Sequence, residues 1–265
     1  MSAGKKYYDL KDFLKKHKTI PEKKFTHTAL GQPPDSYPGS YCIEDEELSL
    51  FHNLYNKYVF EEGNSVHLTE AHKDKSSILI DLDLRHKVSD LKRYYDNLFI
   101  EKFIEIYFKE LNRFIPCLDK DHCKAFVMEK ESPNYQNVKS VYKDGIHIVL
   151  PFIITEPKIQ YLIRYNLINS DEVKELFDSI NVVNTPEDIF DIAVIEKNNW
   201  QMYGSCKPNN QTYKLTSVYS YDNKLDKLDK IDYIYSDKEL LKILSIRNIK
   251  EKYIIEPSMY YNTEE

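Results

Sequence analysis

Three short polar patterns, each set in an apolar run, have residue types and spacings suited to chemistry. The first reads Ile-Leu-Ile-Asp-Leu-Asp-Leu, in which Asp81 and Asp83 alternate with aliphatic residues. Side chains two apart on a strand point to the same face, roughly 7 Å apart. Two carboxylates this close repel each other unless a cation lies between them. Such oxygen ligands suit Mg²⁺ or Mn²⁺, although a strand end whose acids merely face water has the same pattern.

The second pattern places a histidine on a predicted strand. The run reads Gly-Ile-His-Ile-Val-Leu, so that aliphatic residues alternate with Gly145 and His147. His147 then projects beside a residue without a side chain, which leaves room for a bulky group. A purely structural histidine is the plainer alternative. Asp144-Gly145 is also compatible with a hairpin turn, which would place His147 near a strand start.

The third pattern is an acid at the head of an apolar run, followed by a second predicted strand. Asp191 precedes Ile-Ala-Val-Ile, and Asp188 is the alternative acid three residues earlier. Alternation on the second strand puts Ser205 and Lys207 on one face. A hydroxyl and an ammonium group on one face would suit a triphosphate. An ordinary hairpin with an exposed lysine is equally compatible with the pattern.

Hydrophobic periodicity predicts the elements that must position these residues. Alternation indicates strands, and apolar residues three and four apart indicate helices. Strands interleaved with helices predict an α/β or α+β fold with a mixed sheet. The predicted strands are 77–84, 124–129, 139–153, 188–195, 200–206 and 212–220. The predicted helices are 46–60, 89–114, 157–168, 170–180 and 237–247, the last opened by a capping box at Ser236 and Glu239. Residues 222–232 are charged and predicted to form a loop.

Composition and charge limit the classes of site. The chain has 265 residues, of which 6 are glycine, and a net charge of −6. With so few glycines, and neither GxxxxGK[ST] nor GxGxxG present, a glycine-rich phosphate loop is excluded. The net charge disfavours a protein that coats nucleic acid non-specifically. Residues 1–30 nevertheless hold eight lysines against three acids. They are read either as an amphipathic helix with Leu10, Phe13 and Leu14 on one side or as a nucleic-acid contact.

Membrane, secreted and zinc-binding classes are disfavoured. No apolar run reaches the length of a membrane span, and no apolar stretch follows the N-terminus as in a secretory signal. The four cysteines are too few and scattered for a disulfide framework, which indicates a reducing compartment. The spacing of Cys117 and Cys123 matches no common zinc pattern. Zinc is therefore not expected.

Taken together, the three patterns resemble the motifs of the archaeo-eukaryotic primase (AEP) superfamily. The resemblance covers roughly residues 25–250 and is carried by an acidic strand, a histidine strand and a later acid before a serine-lysine element. It is strongest to the N-terminal primase domains of primase-helicases from large cytoplasmic DNA viruses, the poxvirus and African swine fever virus group. PrimPol-type enzymes are more distant. The resemblance implies an α+β fold, a two-lobed, RRM-like core with mixed β-sheets flanked by helices.

The resemblance implies a role for each matched residue in a template-dependent primase, or primase-polymerase, that uses two Mg²⁺ or Mn²⁺ ions. The metal-binding and catalytic positions are Asp81, Asp83 and Asp191. The nucleotide-binding positions are His147, Ser205, Lys207 and Gly145, the last standing where many relatives have serine. The flanking basic residues, which would contact nucleic acid or simply be solvated, are Arg85, Lys143 and Lys197.

The resemblance also implies a context. Residues 1–24 are expected to be a basic N-terminal segment, 25–250 the primase domain, and 251–265 a linker toward a C-terminal helicase that this chain lacks. The expected partners are single-stranded DNA, NTPs or dNTPs, that helicase and other replication proteins, at a viral replication site in the host cytoplasm and away from membranes. Two alternatives stay open: a metal-dependent nuclease that uses the same acids, and a non-catalytic module that binds single strands through its tyrosines.

Overall fold

The computed structural model describes residues 9–20, 22–31, 37–87, 92–116, 118–136, 140–256 and 259. Their strands are β1 (Lys18–Thr19), β2 (His27–Ala29), β3 (Gly39–Tyr41), β4 (Leu68–Glu70), β5 (Ser76–His86), β6 (Lys124–Glu129), β7 (Asn134–Gln136), β8 (Val141–Thr155), β9 (Trp200–Gln201), β10 (Lys214–Asp222) and β11 (Lys227–Ile231). Their α-helices are α1 (Leu10–Lys16), α2 (Leu48–Asn56), α3 (Asn97–Phe114), α4 (Pro157–Asn169), α5 (Asp171–Asp178), α6 (Pro186–Ile189) and α7 (Asp237–Leu244). None of the helices in these ranges combines the length and apolar character needed to cross a bilayer.

These elements form two compact units, each with its own sheet and core. Unit 1 comprises 1–73, 199–213 and 234–248, and unit 2 comprises 74–198, 214–233 and 249–265. The α+β class is confirmed, since both units combine helices with a sheet. Every pairing between the strands above is antiparallel, so the predicted mixed sheets are not found. A parallel contact does occur apart from these pairings, as an isolated bridge between Ile154 of β8 and Ile254.

Unit 1 contains the sheet β1-β3-β2-β4-β9 together with α1, α2 and α7. Helix α1 buries Leu10, Phe13 and Leu14 in the core of this unit, while its lysines remain on the other faces. The amphipathic-helix interpretation of this segment is therefore confirmed for residues 9–16. Residues 1–8, with the first two lysines, lie outside the described part.

The predicted capping box opens α7. The Ser236 side chain accepts the N–H group of Glu239, and the Glu239 carboxylate accepts the N–H group of Ser236. The helix ends at Leu244, three residues before the predicted end. It ends there because the Ser245 hydroxyl and the Ile246 N–H group both donate to the buried carboxylate of Glu70, at 2.5 and 2.9 Å.

Unit 2 contains the sheet β11-β10-β6-β8-β5, with β7 paired to one end of β8. Helix α3 packs onto one face of this sheet through Phe103 and Tyr107, and α4 and α5 join the same core. The sheet's contribution to that core is a set of aliphatic residues on β5 and β8: Ile78, Ile80, Leu82, Leu84, Ile146, Ile148 and Leu150. At the chain's C-terminal side, Ile255 is buried in this core and its N–H group donates to Ile154. Of the predicted linker, residues 251–256 thus pack onto unit 2, and most of the remainder lies outside the described part.

A cluster of ion pairs, formed by Arg93, Glu129 and Asp144, lies near the first residues of β8. Helix α3 begins at Asn97 rather than at 89, because the Asp96 side chain accepts the N–H group of Phe99. Arg93, which precedes this helix, forms ion pairs with residues of the sheet. The Arg93 guanidinium donates to the carboxylates of Asp144 and Glu129, each at 2.9 Å. Asp144 is 1 % exposed, and among the described residues the cation paired with its carboxylate is Arg93.

Two predicted elements of unit 2 are wrong. The segment 188–195 is not a strand: Thr185 caps a short helix whose first residue is Pro186, and a 3-10 helix follows at Ile192–Val194. Proline lacks the N–H group that a central strand must donate and suits the first turn of a helix. The charged loop predicted at 222–232 contains β11, which pairs with β10 across a turn capped by the Asp222 side chain.

We expect Arg93→Met to lower the free energy of unfolding by roughly 3–5 kcal/mol, because it leaves the buried Asp144 carboxylate without its cation. Urea denaturation at pH 7 measures this. The matched control is Arg113→Met, which breaks an exposed pair with Glu110 and should cost less than about 1 kcal/mol. Equal losses in the two variants would contradict the cluster's importance.

His52 predicts acid sensitivity of unit 1. Burial lowers the pKa of this imidazole from 6.5 to about 4; the Glu70 carboxylate opposes this shift, whereas His27 and Lys242 add to it. Protonation then favours the unfolded state, so stability is complete above the ordinary pKa and falls as pH drops toward 4. Between pH 7 and 5 we expect His52→Leu to remove about 2 kcal/mol of the wild-type loss. Urea midpoints at the two pH values measure it. His122→Leu, at a half-buried histidine paired with Asp119, is the control, and an unchanged pH slope in His52→Leu would refute the assignment.

Candidate active site

Two carboxylates lie side by side on one face of β5. Ile80, Leu82 and Leu84 are buried in the core of unit 2. Asp81 and Asp83 alternate with them, and each side chain is 16 % exposed. A strand with one fully apolar face cannot slip by one residue, because the slip would bury its carboxylates and expose its aliphatic residues. The predicted separation of acidic and aliphatic faces is therefore confirmed.

The neighbouring strand β8 brings a histidine and a glycine against these carboxylates. In the antiparallel register His147 pairs with Asp81, and Gly145 pairs with Asp83. The His147 Nε2 atom lies 3.5 Å from Asp81 Oδ1, an ion-pair distance when the imidazole is protonated. Gly145 brings no β-carbon against Asp83. Because Asp144 and Gly145 lie inside β8, the hairpin-turn alternative is wrong.

A backbone hydrogen bond joins the third acid to the first. The Asp191 N–H group donates to the carbonyl of Asp81 over 3.0 Å, and an isolated antiparallel bridge links Phe190 with Leu82. The Asp191 carboxylate accepts the N–H group of Ala193 over 2.9 Å and so caps the 3-10 helix that follows. The three acids, from two distant parts of the sequence, are thereby brought to one strand edge.

The alternative acid, Asp188, is placed differently. It lies on α6, its side chain is exposed, and its N–H group donates to the Thr185 cap of that helix. The backbone connection to β5 belongs instead to Asp191. The fold therefore favours Asp191 as the third acid.

Two anchors that sequence reasoning missed, the buried Arg164 and the half-buried Asn184, hold this arrangement. The Arg164 guanidinium on α4 donates to the carbonyls of Phe190 (2.7 Å) and Glu187 (2.8 Å). Asn184 donates to the carbonyl of Asp83 over 2.7 Å and accepts the N–H group of Arg85 over 3.0 Å. The sequence gives one weak signal: Arg164 follows the buried Gln160 by one helical turn. Such spacing does not by itself distinguish a buried arginine from a solvated one.

Two of the predicted basic residues meet the carboxylate of Asp83. The Lys143 Nζ atom is 2.6 Å from Asp83 Oδ2, and an Arg85 nitrogen is 3.9 Å from the same oxygen. Lys143 lies directly across the strand pair from Arg85. Lys197, by contrast, is exposed in the turn after the 3-10 helix. Two of the three basic residues thus lie at the acidic face, and their roles toward nucleic acid remain predictions.

The donor set fits a hard divalent cation. Asp81, Asp83 and Asp191 supply carboxylate oxygens, the ligands that Mg²⁺ and Mn²⁺ prefer. The Lys143 ammonium group is already paired with Asp83, so this carboxylate does bind a positive charge. Within the described residues no three His, Cys, Asp or Glu side chains are grouped so that they could hold a metal ion by themselves. Mg²⁺ normally uses one or two carboxylates together with water and substrate phosphates, so an open set of acids is compatible with it.

Ser205 and Lys207 belong to unit 1 and do not share a strand face. Strand β9 ends at Gln201, and Gly204 has φ +81°. A β-carbon there would lie 2.4 Å from the Phe60 ring, so glycine alone fits this turn. Beyond it Ser205 is buried and donates to the carbonyl of Val66, while Lys207 is exposed. The predicted alternation is wrong, and their nucleotide-binding roles stay predictions.

The absence of zinc also stays a prediction. Cys117 lies outside the described residues. Cys123 is buried, and burial raises the pKa of its thiol to about 12.

Comparison with known proteins gives evidence on the family of this chain that is independent of the site geometry. Residues 26–219 match a family model described as the C962R protein N-terminal AEP domain. The chain is also 34 % identical over 187 residues to "Putative helicase L207/L206" of Acanthamoeba polyphaga mimivirus. That match covers 70 % of this chain and 18 % of the mimivirus protein, so the chain spans less than a fifth of its relative. Both aspartates of β5, His147 and Asp191 fall inside the matched family region.

We expect Lys143→Met to lower the melting temperature of the metal-free protein by about 2–4 °C, the shift that about 1 kcal/mol produces in a protein of this size. The reason is that Asp83 loses its nearest cation while Asp81 still repels it. Added Mn²⁺ should stabilise this variant more than the wild type, because the metal no longer competes with the ammonium group. Thermal unfolding with and without Mn²⁺ measures both effects. Lys174→Met, which breaks an exposed pair with Asp171, is the control, and an identical Mn²⁺ response in wild type and Lys143→Met would contradict the competition.

Proposed function

This chain belongs to the archaeo-eukaryotic primase family represented by the N-terminal AEP domain of the C962R protein, and from that premise we propose that it is a template-dependent DNA primase. It would synthesise primers on single-stranded DNA by metal-dependent nucleotidyl transfer, and it would accept a primer end for extension as a polymerase. The substrates would be a single-stranded template and NTPs or dNTPs.

One observation carries the proposal. The Asp191 N–H group donates to the Asp81 carbonyl, and His147 pairs with Asp81 across the β5–β8 ladder. Three motifs that are far apart in the chain thus meet at a single residue. Carboxylates, an imidazole and basic side chains at one strand edge supply metal ligands and phosphate donors together, the combination that phosphoryl-type transfer needs.

Each residue of this edge has a part in the proposed reaction. Bound divalent cations would activate the primer 3′-hydroxyl and stabilise the leaving pyrophosphate. Asp81, Asp83 and Asp191 would hold those cations. His147 would donate from its imidazole to a triphosphate oxygen, a hydrogen bond strengthened by the phosphate charge. Beside Asp83, Gly145 contributes no side chain that would obstruct a phosphate.

The remaining basic and hydroxyl groups have parts in the same proposal. Lys143 would neutralise Asp83 before metal binds and then serve the triphosphate or the template. Lys207 would hold the triphosphate as a point charge, supported by the turn that Ser205 anchors through Val66. Arg85 and Lys197 are the proposed contacts to the nucleic-acid backbone, where cations bind irrespective of sequence.

We extend the proposal to the setting of the domain. The matched relative is named for a helicase and is far longer than this chain. The proposed partner is accordingly a helicase domain of the same polypeptide, which would expose the single strand that the primase copies. The proposed place of action is viral DNA replication in the host cytoplasm, with other replication proteins.

A primer-synthesis assay on an unprimed single-stranded template tests the proposal. The reaction contains labelled ribo- and deoxyribonucleotides with Mg²⁺ or Mn²⁺, and the products are separated by length. Wild-type protein should form short products. Asp81→Asn, Asp83→Asn and Asp191→Asn should each reduce them at least about a hundredfold, since each removes a metal ligand whose charge stabilisation contributes several kcal/mol. Asp188→Asn is the matched control and should retain nearly full activity.

Other outcomes identify the alternatives. Shortening of the template by wild type, lost in Asp81→Asn, would indicate a nuclease. Template binding without any product, unchanged in the three asparagine variants, would indicate a binding module. Loss in Asp188→Asn with retention in Asp191→Asn would show that the third acid is misassigned.

A further inference from the structure

An open groove runs along α4 in unit 2, beside the acidic edge. Its cavity volume is about 780 Å³, within the range of sites that bind small organic molecules or nucleotides. One wall is the exposed side of α4, where Lys158, Tyr161 and Tyr165 follow one another at helical spacing. The opposite wall is formed by Ile192 and Glu196. None of these residues belongs to the proposed catalytic set.

The groove begins directly after the third acid. Ile192 is the next residue after Asp191 and is 41 % exposed, which is unusual for isoleucine. On the facing helix Tyr165 is 65 % exposed. An aromatic ring and an aliphatic side chain therefore face solvent in a groove whose lining includes Ile192, the residue after Asp191.

The second tyrosine joins the two walls. The Tyr161 hydroxyl donates to Glu196 Oε1 over 2.7 Å. Burial, and then this hydrogen bond to Glu196, raise the pKa of the phenol to about 12, so the hydroxyl keeps its proton at physiological pH. The Tyr161 ring is thereby held in one orientation, at little further entropic cost when a ligand binds.

Charge at the groove is balanced. Lys75, Lys158 and Arg164 line it, and so do the carboxylates of Asp74, Glu156 and Glu196. The Arg164 guanidinium is already bonded to backbone carbonyls. Phosphate attraction alone would therefore give little affinity, whereas aromatic and aliphatic surface is available. A site of this composition suits a planar, apolar-faced ligand rather than a bare polyanion.

We propose that this groove binds single-stranded nucleic acid by stacking its bases against Tyr165, Tyr161 and Ile192. The inference rests on the proposed function, because the strand would be the one that passes the acidic edge. Base–aromatic stacking contributes about 1–3 kcal/mol per base and tolerates any sequence. The ammonium groups of Lys75 and Lys158 contact the backbone while the neighbouring acids keep that contribution small.

Because the charge of the groove is balanced, the salt dependence of the proposed binding differs from that of binding to a basic surface. A groove that holds a strand through phosphates loses affinity steeply as salt rises, with a slope near −0.7 per neutralised phosphate on single strands. Stacking has no such dependence. Removing a tyrosine should therefore weaken binding by the same factor at low and at high salt. This separates the proposed groove from a basic surface elsewhere on the protein.

Fluorescence anisotropy with a labelled oligothymidine, at about 50 and 200 mM salt, tests the proposal. Tyr165→Ala and Tyr161→Ala should each raise Kd at least about fivefold, the factor that the lower stacking value implies. Tyr165→Phe keeps the ring and should bind like wild type. Tyr135→Ala removes a tyrosine of comparable exposure on β7, 52 % exposed, and should have no effect. Unchanged binding in the two groove variants, or an equal loss in Tyr135→Ala, would overturn the proposal.

Two further experiments test the groove without depending on the folding of a tyrosine variant or on the proposed function. An oligonucleotide carrying 5-iodouracil should crosslink on irradiation to Tyr165 or Tyr161 of the unaltered chain, as identified by mass spectrometry. A crosslink confined to other residues would overturn the proposal. The Asp81→Asn, Asp83→Asn double variant should retain the tyrosine-dependent binding. If primer synthesis by wild type fails while this binding persists, the groove stands and the proposed function fails.

Discussion

The register between β5 and β8 is the constraint on which the site depends. One face of each strand is committed to the core by aliphatic residues, so neither strand can slip by one residue without exposing them. That commitment sends Asp81, Asp83, Gly145 and His147 to the other face and sets them opposite one another. The acidic edge is thus a consequence of hydrophobic burial on the reverse side of the same strands. Asp191 joins it through the backbone, since its N–H group bonds the Asp81 carbonyl.

Two arginines fix the backbone segments that carry the acidic edge. Arg93 neutralises Asp144, and Arg164 donates to two backbone carbonyls. Arg93 thus pairs with the residue before Gly145, and Arg164 bonds the carbonyl of the residue before Asp191. Buried pairs of this kind add little net stability and are costly to break. Their effect here is to restrict the two segments to one arrangement.

The scarcity of glycine and the net charge of −6 agree with a site built from side chains. A glycine-rich loop binds phosphates through backbone N–H groups, whereas this edge offers carboxylates, an imidazole and ammonium groups on strands. A chain with more acids than bases cannot hold nucleic acid over its whole surface. In the proposed function, binding is accordingly local, through cations at the acids and through the aromatic surface of the groove on α4.

Local pattern alone determined β5, β6, β8, most of α2, α4 and α5, and the capping box of α7, because periodicity and end signals are encoded within a few residues. It also identified the acids and the histidine, since alternation reveals which side chains share a face. Only the tertiary structure decided that Asp191 joins Asp81, that 188–195 is helical rather than a strand, and that Ser205 is buried while Lys207 is exposed. These outcomes depend on bonds between residues far apart in the chain, such as Arg164 with Phe190 and Ser205 with Val66. The hydrophobic pattern of a segment is the same whether its backbone bonds a neighbouring strand or a buried arginine. The spacing of residues within the segment therefore could not have revealed these long-range bonds.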